Sequence, residues 1–280
     1  MNYSGSPFGG LTPIVKNLLI INVLFYIASI VIQSSMGLRL EHYLGLHVPM
    51  ADNFRSYQLI TYMFLHAYPG FAHLFFNMFA LFMFGRMLET VWGPKRFLFY
   101  YFATGVGAAL IHLVTQYIEI MPSLNAINSY LNNANPDTLQ VFINEHLEVR
   151  SHEMRSKFNA FAESYNALLK TDPESAIELS KQYIYEYRKD YLNTYITIGA
   201  SGAVFGILLA FGMLFPDARL MLLFPPIPIK AKYFVIIYGA IELWQAIVIS
   251  PFSNVAHFAH LGGMLFGYLL IKYWRSKGLY

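Results

Sequence analysis

The chain lacks cysteine altogether and carries little charge for its length. Without cysteine it has no disulfides, no thiolate metal sites and no cysteine nucleophile, although its redox compartment stays undecided. Only 12% of the 280 residues are charged, whereas a soluble domain averages about 25%. With 56% hydrophobic residues, this composition is typical of a membrane protein.

The net charge of +3 is small, which argues against nucleic acid or any other polyanionic partner. The charges are also unevenly distributed along the chain. Residues 119–190 contain 7 Lys or Arg and 11 Asp or Glu, and the remaining residues contain 12 and 5. About half of the charge therefore lies in about a quarter of the sequence, and the rest is largely apolar.

Six stretches are long and apolar enough to cross a bilayer core, which needs about 17 to 25 helical residues. They cover residues 17–38, 56–85, 97–118, 191–216, 233–249 and 255–271. Pro69 and Gly70 divide the second stretch, so the second membrane helix is expected after Gly70, and Glu242 interrupts the fifth stretch. The sequence therefore predicts an all-α, six-transmembrane-helix bundle that forms a single membrane domain over residues 1–280.

The polar segment 119–190 is predicted to be an external, partly helical insertion between the third and fourth membrane helices. Asp172 followed by Pro173 is typical of a helix start, with the aspartate as N-cap. Upstream, a run of asparagines between residues 125 and 135, followed by Pro136, favours irregular chain.

The distribution of basic residues predicts the orientation in the membrane. With a cytoplasmic N-terminus, the inner connections contain ten Lys or Arg and the short outer connections contain two. Both termini are therefore expected in the cytoplasm. We expect an integral protein of a bacterial inner membrane from the compact six-span layout.

Polar residues inside a span are costly and call for an explanation. In the predicted orientation the even-numbered spans run inward from the outer surface. His73, Ser201 and His260 each fall within the first turns of such a span. The three side chains are therefore expected at one depth, near the outer surface.

Two pairs of glycines at GxxxG spacing indicate which helices touch. Gly202 and Gly206 lie in the fourth span, and Gly263 and Gly267 lie in the sixth. This spacing lets helix backbones approach closely. Close contact of these two spans would bring Ser201 to His260.

A serine hydroxyl beside an imidazole is the pair that nucleophilic catalysis requires, because the base takes the hydroxyl proton. Attack on a carbonyl also needs donors for the oxyanion. His73 and Asn77, at positions i and i+4, and the Ser201 amide at a helix N-terminus are candidates. The set predicts acyl transfer chemistry.

Each of these residues also has a purely structural interpretation. A membrane serine often packs with its hydroxyl bonded to its own helix, and a membrane histidine or asparagine often bridges helices. For His257 we expect a surface or supporting role, and for Glu242 that of a hydrogen-bonded structural carboxylate.

Three segments resemble the signatures of the rhomboid intramembrane serine proteases. They are the run around Gly199, Ser201 and Gly202, the run from His73 to Asn77, and the run around His260 and Gly263. The resemblance covers most of the chain from about residue 55 to residue 277.

The resemblance implies that Ser201 is the nucleophile and His260 the general base of a dyad. It further implies that His73, Asn77 and the Ser201 amide stabilise the oxyanion, and that Phe205 stacks on the histidine. It implies no third, acidic member, in keeping with the lack of aspartate in the predicted spans. Metals and cofactors are not expected.

The expected function is cleavage of single-pass transmembrane proteins within the lipid bilayer, near the outer leaflet. An inactive rhomboid-like protein that binds transmembrane helices is the alternative, and a transporter or channel is a more distant one. A zinc protease would need a His-Glu-x-x-His pair, and an aspartyl protease would need two carboxylates in its spans. The sequence has neither, and it leaves the oligomeric state open.

Overall fold

The computed structural model describes residues 10–68, 70–221, 227–248 and 256–278, which form an all-α architecture. They divide into two compact units. Unit 1 contains the residues up to Leu46, Ser56–His112 and the residues from Thr197 onward. Unit 2 contains His47–Arg55 and Leu113–Ile196.

Most of the described chain is helical, and its strands are only two or three residues long. The helices of the first half are α1 (Pro13–Met36), α2 (Glu41–Leu44), α3 (Gln58–Thr61), α4 (Phe71–Ala80), α5 (Arg86–Trp92) and α6 (Pro94–Asn132). Those of the second half are α7 (Pro136–Glu145), α8 (His152–Thr171), α9 (Pro173–Asn193), α10 (Ser201–Leu214), α11 (Ala231–Val248) and α12 (His257–Ser276). The strands are β1 (Leu46–His47), β2 (Ile196–Thr197) and an antiparallel pair, β3 (Arg219–Met221) and β4 (Pro228–Lys230).

Four helical segments in the described chain are long and apolar enough to cross a membrane. They are α1, the continuous run Phe71–Trp92 that contains α4 and α5, α6, and α11. Their outward side chains are apolar, as for Leu24 at 58% exposure on α1 and Ile247 at 72% on α11. Because water would disfavour such surfaces, the protein is an integral membrane protein.

The prediction of one helix over residues 191–216 is wrong. α9 ends at Asn193, and the next helix, α10, begins only at Ser201 and has 14 residues. β2 lies between the two helices, and Gly199, whose φ of 129° is incompatible with a helix, keeps α10 from beginning earlier. The count of six spans stays a prediction, as does the insertion. The predicted break at Pro69 and the predicted outer turn at 249–255 lie outside the described residues.

The start of α1 is held by a carboxylate from elsewhere in unit 1. Thr12, the N-cap residue, makes no side-chain cap. Instead, the two carboxylate oxygens of Glu89 in α5 accept hydrogen bonds of 2.9 Å from the amides of Ile14 and Val15. Glu89 is only 3% exposed. It therefore satisfies two free amides at the helix end.

Glycines allow α10 and α12 to touch through their backbones. A β-carbon built on Gly263 would overlap the carbonyl oxygen of Gly202. The predicted contact of these two helices is therefore confirmed at this pair. The other three glycines of the two motifs face α6, because a β-carbon would overlap Ala108 at Gly202, Thr104 at Gly206 and Tyr100 at Gly267.

Unit 2 is helical over most of its length. The prediction of irregular chain at residues 125–135 is largely wrong, since α6 continues to Asn132. The predicted start of α9 is confirmed, because the Asp172 side chain accepts a hydrogen bond from the Ser175 amide. Stacked aromatic rings, such as Phe161 on Tyr183 at 4.1 Å, fill the core of this unit.

We expect Gly263→Ala to lower the free energy of unfolding by about 1 to 3 kcal/mol or more, since the new methyl group overlaps backbone that has little room to move. Gly239→Ala is the matched control. Its β-carbon would meet only the flexible side chain of Met264, at 3.2 Å, and alanine is the better helix former. Thermal unfolding in detergent measures both variants. Equal midpoints for the two would contradict the close contact of α10 and α12.

Candidate active site

Ser201 is the first residue of α10 in unit 1. The residue before it, Ala200, accepts the first helical hydrogen bond, from the Val204 amide at 3.0 Å. The first amides of a helix have no carbonyl to bond within that helix, and they carry the positive end of its dipole. Ser201 therefore places its hydroxyl beside an end that favours negative charge.

His260 from α12 contacts this hydroxyl directly. Its Nε2 atom lies 2.8 Å from Ser201 Oγ. The histidine is only 7% exposed, and Ser201 is half-buried. Gly202 follows Ser201 directly, and Gly263 lies three residues after His260. The backbone contact of these two glycines fixes the distance between the two helices at this point.

The His260 ring is also held by its face. Phe205, one helical turn after Ser201, lies with its ring centroid 4.2 Å from that of His260 and at an angle of 9°. Such stacking contributes about 0.5 to 1.5 kcal/mol beyond burial. It leaves the imidazole little freedom to turn away from the serine.

His73 in α4 and Ser201 both lie next to Gly199. A β-carbon on Gly199 would lie 3.0 Å from His73 Cε1 and 3.5 Å from Ser201 Oγ. His73 Nδ1 accepts a hydrogen bond from the Ala67 amide at 3.3 Å, so the ring proton lies on Nε2. Gly199 is therefore both conformationally required and too crowded for a side chain.

Asn77 is buried one turn after His73, at 7% exposure. Its side-chain nitrogen donates a 2.8 Å hydrogen bond to the His73 carbonyl within the same helix. The structure thus uses one of its two N–H groups locally. Its predicted role at an oxyanion stays a prediction.

Glu242 and His257 also belong to the site, and the contact of Glu242 with His260 was not expected from the sequence. Glu242 Oε2 lies 2.8 Å from His260 Nδ1 and 2.7 Å from His257 Nδ1. The expectation that no acidic group accompanies Ser201 and His260 is therefore wrong. Of the surface or supporting role expected for His257, the surface position is wrong, since the residue is only 8% exposed, and the supporting role stays a prediction. Glu242 is hydrogen-bonded, as its structural interpretation required.

A signal for this contact was present in the sequence. Glu242 is the carboxylate inside the predicted fifth span, and a buried carboxylate needs donors. His257 and His260, three residues apart, share one face of the next helix. The pairing of that face with α11 could not be read from the sequence, because residues 249–255 between them carry no pattern that fixes it.

These contacts form a continuous chain from carboxylate to imidazole to hydroxyl. A base in contact with a hydroxyl can take its proton and make the oxygen a nucleophile. The helix N-terminus and the His73 N–H are hydrogen-bond donors close to Ser201, of the kind that can stabilise an oxyanion. The arrangement has the chemistry that acyl transfer requires.

Comparison with known proteins gives one family. The sequence model described as the rhomboid domain matches residues 53–120 and 177–277, more than half of the chain. The matched segments include all the site residues described above and leave out residues 121–176. Neither the curated proteins nor the solved structures include a match.

We expect Gly199→Ala to lower the free energy of unfolding by about 1 to 3 kcal/mol from backbone strain, and by more through crowding of the His73 ring. Gly93→Ala is the matched control, because Gly93 also has positive φ, of 78°, but has open space around it. A double variant with His73→Ala should recover the excess loss of Gly199→Ala. Thermal unfolding of the parental protein and of these three variants measures the losses. An equal loss for Gly93→Ala and Gly199→Ala would contradict the crowding.

Proposed function

Because the chain belongs to the rhomboid family, we propose that it is an intramembrane serine endopeptidase that uses Ser201 and His260 as its catalytic pair. The observation that carries the proposal is the 2.8 Å contact between His260 Nε2 and Ser201 Oγ. It lies in a unit whose outer helices are apolar on their exposed faces. A nucleophile and its base at hydrogen-bonding distance are the central requirement of this chemistry.

In the proposed acylation step, Ser201 Oγ attacks the carbonyl carbon of the scissile peptide bond while its proton passes to His260 Nε2. The carbonyl oxygen becomes negative. The His73 Nε2–H and the Ser201 amide are the proposed donors, with Asn77 contributing its second N–H. Such donors are effective when they are oriented before the charge develops. The hydrogen bond that His73 Nδ1 accepts from the Ala67 amide supports such an orientation of the His73 ring.

Collapse of the intermediate expels the amine of the downstream fragment, which takes the proton from His260 Nε2. The upstream fragment remains as an ester on Ser201. A water molecule then attacks the ester with His260 again as base, and the serine is released. Each proton that His260 takes is returned in the same cycle.

The proposed substrates are single-pass transmembrane proteins. In a regular helix each carbonyl accepts a backbone hydrogen bond, so the substrate must unwind locally before a serine can attack it. Small and helix-breaking residues at the cleavage site lower the cost of that unwinding. The polar groups of the site would make such an irregular segment tolerable inside the membrane.

We expect Ser201→Ala to abolish cleavage of a model transmembrane substrate in liposomes, with a loss of about 10³-fold or more. The variant should fold normally, since it loses one hydroxyl. Ser29→Ala is the matched control, because Ser29 is a buried membrane serine whose hydroxyl donates a hydrogen bond to the Phe25 carbonyl of its own helix. Labelling by a fluorophosphonate probe should disappear in Ser201→Ala and in His260→Ala and persist in Ser29→Ala.

Cleavage by Ser201→Ala at the parental rate would overturn the assignment of the nucleophile. If the parental protein neither cleaves nor reacts with the probe but still binds transmembrane helices, the alternative of an inactive rhomboid-like protein would replace the proposal.

We further propose that the protein lies in a bacterial inner membrane with both termini in the cytoplasm. The lack of cysteine makes the orientation easy to test, because a single introduced thiol has no background. Lys277→Cys should be protected from an impermeant maleimide in intact cells, and Asn133→Cys should be labelled. The reverse pattern would contradict the orientation.

A further inference from the structure

One oxygen of Glu242 connects two histidines of α12. Oε2 lies 2.7 Å from His257 Nδ1 and 2.8 Å from His260 Nδ1. All three residues are at most 8% exposed. Because a buried carboxylate is costly unless it accepts strong hydrogen bonds, both rings donate their Nδ1–H groups to it.

This contact decides which nitrogen of His260 carries the proton. A neutral imidazole has one N–H and one acceptor nitrogen. With the proton on Nδ1, held by Glu242, the Nε2 atom is an acceptor and points at Ser201 Oγ. The other tautomer would place an N–H against the hydroxyl and could not take its proton.

We propose that Glu242 is a positioning residue for His260 and completes a Ser201–His260–Glu242 chain, with His257 anchoring the carboxylate. This inference rests on the proposed function. When Ser201 Oγ forms its bond to the carbonyl carbon, its proton moves to His260 Nε2 and makes the ring an imidazolium. The Glu242 carboxylate stabilises that positive charge and does not itself take the proton. The proton then leaves from Nε2 to the departing amine.

The distances favour this arrangement over a metal site built from the same groups. Glu242, His257 and His260 have ligand atoms within 4.8 Å of one another and could be read as a metal site. Ligands at about 2.0 to 2.2 Å from a tetrahedral zinc ion lie about 3.3 to 3.5 Å apart. The observed separations of 2.7 and 2.8 Å are those of charge-assisted hydrogen bonds with a proton between the atoms.

Glu242→Gln tests the proposal, because it keeps the size of the side chain and removes its charge. We expect kcat for a transmembrane substrate in liposomes to fall by about 10² to 10⁴-fold, as for other triads that lose the acidic charge, with KM within about threefold of the parental value. Glu242→Asp should restore part of the kcat. Glu89→Gln is the matched control, since it neutralises another buried carboxylate and lies away from His260. It should lower thermal stability and leave kcat per folded molecule unchanged.

A measurement on the parental protein makes the test independent of how the variants fold. In protein with ¹⁵N-labelled histidines, the neutral His260 ring should carry its proton on Nδ1, with assignment by the signal lost in His260→Ala. A ring protonated mainly on Nε2 would overturn the proposal. So would a Glu242→Gln variant with kcat within threefold of the parental value, or a stoichiometric metal ion that is present in the purified protein and lost on Glu242→Gln.

The proposed function and this inference fail in different ways. If Ser201→Ala keeps its activity, the serine protease assignment is wrong. If Ser201→Ala is inactive while Glu242→Gln has parental kcat, the protease stands and the role of Glu242 alone is wrong.

Discussion

The approach of two helices without side chains between them sets the geometry of the site. At the contact of Gly202 with Gly263, α10 and α12 meet backbone to backbone. A β-carbon on Gly263 would push the two helices apart by more than the tolerance of a hydrogen bond, which weakens over a few tenths of an ångström. Ser201 and His260 lie within three residues of this contact, so the helix separation is transmitted directly to the distance between hydroxyl and imidazole. A neighbouring helix, α6, packs against the other three glycines of the two motifs.

Several buried polar groups of unit 1 satisfy one another. Glu89 is paired with free amides at the start of α1, and Glu242 with two histidines. His73 Nδ1 accepts a hydrogen bond from the backbone amide of Ala67. In a low-dielectric surrounding these bonds are strong and their loss is costly. The hydrogen bonds therefore give the side chains of the site defined orientations in an otherwise apolar bundle.

Sequence patterns predicted the membrane character, the contact of α10 with α12, and the meeting of Ser201 and His260, because glycine spacing and costly polar residues carry those signals. The sequence patterns failed where the structure depends on a backbone dihedral angle or on which helices pack together. The apolar stretch 191–216 looks continuous by composition, yet Gly199 breaks it through its dihedral angle. Asparagines before Pro136 suggested loop, yet α6 runs on to Asn132. The partner of Glu242 depends on how α11 packs on α12, and the hydrophobic periodicity of the sequence does not reveal that packing.

Because α10 is short and covered by other helices, the position of Ser201 does not depend directly on the thickness of the surrounding lipid. Fourteen residues rise about 21 Å, well short of a hydrocarbon core of about 30 Å. Each of these residues is buried or half-buried, so the helix meets other helices rather than acyl chains. Hydrophobic mismatch with bilayers of different chain length then acts on α1 and α11, whose apolar faces are exposed. The helix that bears Ser201 is shielded from that mismatch by its neighbours.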